Sequence, residues 1–116
     1  MKVDVSIITT VYNKESVLLK NVLPSLSQKN IDFELVLVDD KSPDNCPILC
    51  DEIAQKFKNV RVIHCEKNMG HAFAVNTGIE NAQGEYIIIV DADDYLSDTT
   101  CLSEIELRFL ILPRFS

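Results

Sequence analysis

The stretch Glu85-Tyr86-Ile87-Ile88-Ile89-Val90-Asp91-Ala92-Asp93-Asp94 runs from an apolar, β-branched segment into three carboxylates within four positions. The apolar part reads as a strand buried on both faces. Acids gathered at the mouth of such a strand repel one another and lose hydration unless a cation lies between them. An all-oxygen ligand set suits a hard divalent ion, Mg²⁺ or Mn²⁺, and such an ion brings a diphosphate with it. In an extended segment Asp91 and Asp93 point to one side and Asp94 to the other. Asp93 is therefore the first choice as metal ligand and Asp91 the second, directly or through water. Asp94 is placed to hold a ribose hydroxyl or a sugar. The plainer alternative, a solvated turn, fits the buried strand before it less well.

Other polar groups fall at strand ends in the same way. Thr9, Thr10, Tyr12 and Asn13 follow a first strand, Asp39 and Asp40 a second, and Glu66, Lys67 and Asn68 a third. Ligands of an open parallel sheet bind beyond the carboxyl ends of the strands, where strand order reverses, so four such groups on one edge make a site. Asp39 or Asp40 could accept the ring N–H of a pyrimidine, and Tyr12 offers that base a flat apolar face. The competing explanation for the acid pair is a helix N-terminal charge pair. Lys67 and His71 could face a diphosphate, or be surface residues of a loop and a first helical turn; His64 reads as a strand-end histidine. The chain has only three glycines and neither a dinucleotide fingerprint nor a Walker motif, so the phosphates must be neutralised by metal rather than by a glycine-rich loop.

The elements that position these residues alternate. Strands are predicted over Val3–Thr10, Phe33–Val38, Val60–His64 and Tyr86–Val90. Helices are predicted from about Glu15 to Gln28, from Cys46 to Phe57 and from Gly70 to Ala82. The first carries an apolar stripe of Val17, Leu18, Val22 and Leu26, with Pro24 as a kink or broken end. The second is expected to bury Ile48, Leu49, Ile53 and Phe57, or most of them. In the third, Ala72, Phe73, Asn76 and Ile79 occupy related faces. This βαβαβαβ order implies an α/β fold with a mostly parallel sheet flanked by helices, and no fifth strand is evident. Ser97 to Thr100 would cap a short helix over Cys101–Arg108. The ending, Leu107 to Ser116, is apolar and reads as the edge of something truncated. Residues 1–96 are taken as the ligand-binding unit and 97–116 as a tail. In that tail Leu107, Phe109, Leu110, Ile111 and Leu112 would cover an open sheet edge or mediate self-association.

Composition narrows the rest. A length of 116 residues is enough for one domain. The net charge of −7 argues against a nucleic-acid partner. No apolar stretch approaches the ~20 residues that span a bilayer, and the start shows no signal-peptide pattern. The expected location is the cytoplasm, with membrane association only through partners. Cys46, Cys50, Cys65 and Cys101 lack the paired spacing of a zinc site and read as free thiols.

Taken in order, Val5–Asn13, Glu34–Ser42, Asn68-Met69-Gly70 through Asn76-Thr77-Gly78-Ile79, and Gly84–Asp94 resemble the family-2 glycosyltransferases with the Rossmann-like GT-A fold, over about Val3 to Leu96. The resemblance implies a nucleotide-diphospho-sugar donor, often a UDP-sugar, a Mg²⁺ or Mn²⁺ ion, and transfer with inversion to a saccharide or lipid-linked acceptor. It assigns Thr10, Tyr12 and Asp40 to the nucleoside and Asp91-Ala92-Asp93 to the DxD motif, with Asp93 on metal and diphosphate. Many members carry an Arg where this chain has Val75. The family's general base is expected beyond Ser116, with Asp98 and Glu104 near the acids only in sequence. The chain thus resembles the donor-binding half of such an enzyme. The alternatives are a non-catalytic nucleotide-binding module and, less in keeping with where the acids fall, a phosphoacceptor receiver domain.

Overall fold

A computed structural model describes residues 3–92 and 112–113. The elements run β1 (Val5–Val11), α1 (Leu18–Leu26), β2 (Phe33–Asp39), α2 (Cys46–Lys56), β3 (Val60–His64), α3 (His71–Asn81), β4 (Tyr86–Ile89) and β5 (Leu112–Pro113). The sheet order is β3-β2-β1-β4-β5. The pairs β1/β2, β1/β4 and β2/β3 are parallel. The mostly parallel α/β architecture expected from the sequence is therefore present.

Strand parity assigns each side chain to a layer, because alternate residues face opposite sides of a sheet. On one side, Val5, Ile7 and Val11 of β1 and Leu35 and Leu37 of β2 pack with Leu18 and Val22 of α1 and with Cys46, Cys50 and Ile53 of α2. On the other, Ile8, Val36 and Val38 pack with Ala74 of α3. The small residues Ala74 and Gly78 form the buried face of α3. A Cβ at Gly78 would stand 2.4 Å from Ile8 Cγ2, so α3 lies close against the sheet only because that atom is missing.

A buried polar knot closes the end of the sheet opposite the candidate site. Glu34 accepts from Ser6 Oγ at 2.5 Å, from Arg61 Nε at 2.9 Å and from the Gln83 N–H at 2.6 Å. Ser6 Oγ in turn accepts from the Gly84 N–H. Arg61 also donates to the Asn81 carbonyl. Burial disfavours the charge on Glu34, yet the bonds from Ser6, Gln83 and Arg61 hold its carboxyl below the ordinary value.

Several expectations change. α1 begins at Leu18, and Glu15–Val17 is a turn. In α2, Ile48 is 59% exposed while Cys46, Cys50 and Ile53 are buried. Those three lie at i, i+4 and i+7, so the thiols act as small hydrophobes and form the stripe. Phe73, which the sequence placed only on a face related to those of Ala72, Asn76 and Ile79, is exposed, since Ala74 and Gly78 hold the inner face of α3. β4 is not buried throughout: Ile89 is 45% exposed, and the fully buried strand is β1, which lies between β2 and β4. A fifth strand exists, because Leu112 and Pro113 pair antiparallel with Ile87 and Tyr86 and border the β4 edge. A two-residue strand carries no periodicity to read, and proline is tolerated at a sheet edge. The expectations placed on Asp93, Asp94, Asp98, Glu104, the Cys101–Arg108 helix and Leu107, Phe109, Leu110 and Ile111 lie outside the described residues.

Candidate active site

Strand order reverses between β1 and β4, since β2 and β3 extend to one side of β1 and β4 lies on the other. The carboxyl ends of these two strands therefore flank the crevice in which open α/β sheets bind ligands. A hollow of about 340 Å³ opens there, bordered by Thr10, Tyr12, Asp40, Asn68, Gly70 and His71. A second, of about 260 Å³, shares Thr10, Tyr12 and His71 and adds Lys14 and Asp91. Thr10, Tyr12, Asp40 and Asp91 are thus brought to one place from three strand ends.

Parity explains which acid of the Asp39-Asp40 pair faces the hollow. Thr10 shares the orientation of Ile8, toward α3, and its Oγ1 lies 3.1 Å from His71 Nδ1 in the first turn of that helix. Asp39 shares the orientation of Leu35 and Leu37, toward α2, and borders neither hollow. Asp40, one residue on, turns to the α3 side. It is 4% exposed, and its two carboxylate oxygens accept from the Met69 N–H at 3.0 Å and the Gly70 N–H at 3.1 Å. Asp40 thereby holds the loop entering α3, and Gly70 takes a φ of 96° there, a conformation that suits glycine. Each oxygen keeps a lone pair for a ligand donor.

Tyr12 is 44% exposed, with its ring on the border of both hollows. Asn13, at φ 56°, and Lys41, at φ 60°, bend the two adjoining loops. The Asn13 N–H donates to Ser42 Oγ, fastening one loop to the other. Asp91 is half exposed, and its Oδ1 lies 3.8 Å from His71 Nε2. Behind it, the buried Asn21 of α1 donates to the Ala92 carbonyl at 2.7 Å. That bond fixes the backbone at the start of the acidic segment.

Sequence reasoning placed His71 only as one of two options; the structure puts it in the site. It missed Lys14, which reaches the second hollow from the loop after β1. Lys67 and Glu66 are not brought to the site, because they border a separate groove between β3 and α3 with His64 and Phe73. The first part of their loop runs past the edge strand β3 and faces outward, while Asn68 and Gly70 further along it border the first hollow. Among the described residues no three His, Cys, Asp or Glu side chains cluster as a metal site. Among the described residues Asp91 alone presents an exposed carboxylate to the hollow; Asp93 and Asp94 lie outside them. Cys46 and Cys50 are buried free thiols, with burial pushing Cys46 up to about 11. Among the described residues no helix is long and apolar enough to cross a membrane.

Comparison with known proteins bears on the family and the fold. The profile of Glycosyl transferase family 2 matches residues 6–108. A glycosyltransferase of Haemophilus influenzae is 37% identical over 107 residues, covering 92% of this chain and 42% of the relative. The minor teichoic acid biosynthesis protein GgaB of Bacillus subtilis is 40% identical over 100 residues, covering 84% of this chain and 11% of the relative. The crystal structure of S. aureus TarS 1-349 in complex with UDP superposes with a TM-score of 0.80 at 28% identity, over 90% of this chain and 31% of that one. The chain thus spans less than half the length of these relatives. By its sequence this chain belongs to glycosyl transferase family 2, and its mostly parallel sheet flanked by helices has the GT-A fold.

Proposed function

We propose that this chain binds the donor of a glycosyl transfer, a nucleotide-diphospho-sugar with a UDP carrier, together with Mg²⁺ or Mn²⁺. The observation that carries this reading is the convergence of Thr10, Tyr12, Asp40, His71 and Asp91 on one pair of joined hollows at the strand-order reversal. Tyr12 lies against the base, Asp40 accepts from the base or ribose, and Thr10 lines the floor between them. Val75 brings no charge to the phosphates, whereas His71 and Lys14 stand beside the hollow next to Asp91. They hold the diphosphate oxygens and keep the sugar end directed toward the acidic segment. S. aureus TarS has been solved with UDP and with UDP-GlcNAc, which supports the choice of carrier.

The half-exposed Asp91 suits one ligand position of a hard divalent ion, a type usually held by one or two carboxylates plus substrate phosphates. Asp93, the first choice as metal ligand from the sequence, is proposed beside it, and Asp94 is assigned to the ribose or sugar. Such an ion, when bound, neutralises charge on the departing diphosphate. In the whole protein, transfer proceeds with inversion to a saccharide or lipid-linked acceptor of a cell-surface polymer, at the cytoplasmic face of the membrane. The teichoic-acid protein among the relatives supports that acceptor class.

Isothermal titration of the chain with UDP in Mn²⁺ tests the reading. Saturable binding that weakens about tenfold or more with EDTA is expected. No binding of UDP or of any other nucleoside diphosphate would overturn it.

A further inference from the structure

Asp39 was a candidate for the base, yet it faces away from the hollow and is nearly fully buried. Its carboxylate is used at both oxygens. Oδ1 accepts from the Ser42 N–H at 3.0 Å, and Oδ2 lies 3.2 Å from His64 Nδ1. The other ring nitrogen, His64 Nε2, lies 2.8 Å from Asp51 Oδ1 on α2. A carboxylate oxygen only accepts, and a neutral imidazole donates from one nitrogen alone. Both bonds therefore form together only when His64 carries two protons.

The clamp leads to the site. Ser42, held by Asp39, accepts the Asn13 N–H at 3.2 Å through its Oγ and donates to the Val11 carbonyl at 3.4 Å. Val11 and Asn13 flank Tyr12. We propose that doubly protonated His64 is a positioning residue for the nucleotide, holding the Tyr12 loop in its binding geometry through Asp39 and Ser42. This rests on the reading of the Tyr12 hollow as the nucleotide site.

The surroundings favour the charged ring. The bond to Asp51 raises the His64 value most, burial opposes it, and Asp39 raises it further, leaving it above 6.5. Asp39 faces it from β2 and Asp51 from α2. Glu66, Lys67 and Cys65 of the following loop and Glu80 of α3 border the same groove. A group whose value is raised on folding supports its contacts at low pH and releases them as pH rises through the raised value. The Tyr12 loop should therefore loosen, and nucleotide affinity fall, from near pH 6.5 upward.

The test is titration of the chain with UDP-GlcNAc at fixed Mg²⁺ from about pH 6 to about pH 9, a range in which this ligand's diphosphate diester loses no proton. His64 is followed by NMR in the same samples. Affinity is expected to weaken roughly three- to tenfold in step with the His64 midpoint, the scale of one or two anchoring hydrogen bonds. In a His71→Gln background, which removes the other imidazole at the site, His64→Gln should bind at every pH about as weakly as the protein with His64 does at high pH. Asp51→Asn, on the exposed side of the clamp, should move the midpoint to lower pH, which a merely structural role would not do. Affinity that ignores the His64 midpoint, or His64→Gln with wild-type affinity, would overturn the proposal. If UDP-GlcNAc binds at no pH, the nucleotide reading of the hollow falls. The Ser42 and Asn13 amide resonances then judge the clamp alone: following the His64 midpoint supports it, and standing still refutes it.

Discussion

Asp40→Asn separates an acid that holds the site together from one that merely lines it. The side chain is buried and accepts two backbone N–H groups, from Met69 at 3.0 Å and Gly70 at 3.1 Å. Asparagine keeps the shape but has one acceptor oxygen, so its amide must face the second N–H, donor against donor. The change removes one charge-assisted bond and leaves one buried N–H unpaired. Together these cost about 2–3 kcal/mol, a large part of the ~5–15 kcal/mol that stabilises a typical domain. Urea unfolding followed by circular dichroism reads this as a lower midpoint at unchanged slope. Thr10→Val, which loses only the contact to His71, serves as the comparison, with a loss of about 1 kcal/mol or less. If Asp40→Asn unfolds within about 0.5 kcal/mol of the wild type, the carboxylate does not hold the entry to α3 and the reasoning fails.

Further outcomes follow from the packing. Glu34 has its carboxyl held below 4.5, so its contribution to stability is complete above that value and is lost as pH falls through the lowered one. Acid unfolding curves should show this loss, and Glu34→Gln should flatten it. Gly78→Ala should destabilise by about 1–2 kcal/mol, because overpacking against the buried Ile8 and Val38 exceeds the ~1 kcal/mol gained in helix preference; unchanged or raised stability in urea would contradict the close approach of α3. Asn21→Ala removes the donor to the Ala92 carbonyl and should cost about 1–2 kcal/mol while weakening UDP binding; an unaltered affinity by calorimetry would show that this bond does not set the acidic segment.

Much of this was legible in the sequence, and the reasons differ by element. The strands ending at Val38 or Asp39, His64 and Val90 announce themselves by β-branched runs that stop at polar residues, so their carboxyl ends, and the residues gathered there, could be read directly. Sheet order could not, because parallel strands of similar composition carry no mark of which is central; β4 was read as the buried one and β1 is. Helix faces are less legible where small residues do the packing: hydrophobicity puts Ile48 on the inner face of α2, while Cys46 and Cys50 hold that face and Ala74 and Gly78 hold the inner face of α3. The Asp39-Asp40 ambiguity was resolvable in principle, since the alternation that sends Leu35 and Leu37 toward α2 sends Asp39 there too. Asn21 and the His64 clamp depend on contacts that join separate elements, Asn21 to Ala92 and His64 to both Asp39 and Asp51, Lys14 depends on a loop path, and no local pattern encodes those.

The central claim is that the ends of β1, β2 and β4 and the start of α3 form one nucleotide site. Amide NMR of the chain titrated with UDP and Mg²⁺ tests it most directly. Shifts are predicted to concentrate at Val11 to Asn13, Asp40, Gly70, His71 and Asp91, with Lys67 and Phe73 of the neighbouring groove unmoved. Shifts centred on Lys67 and Phe73, with Tyr12 and Asp40 silent, would contradict it.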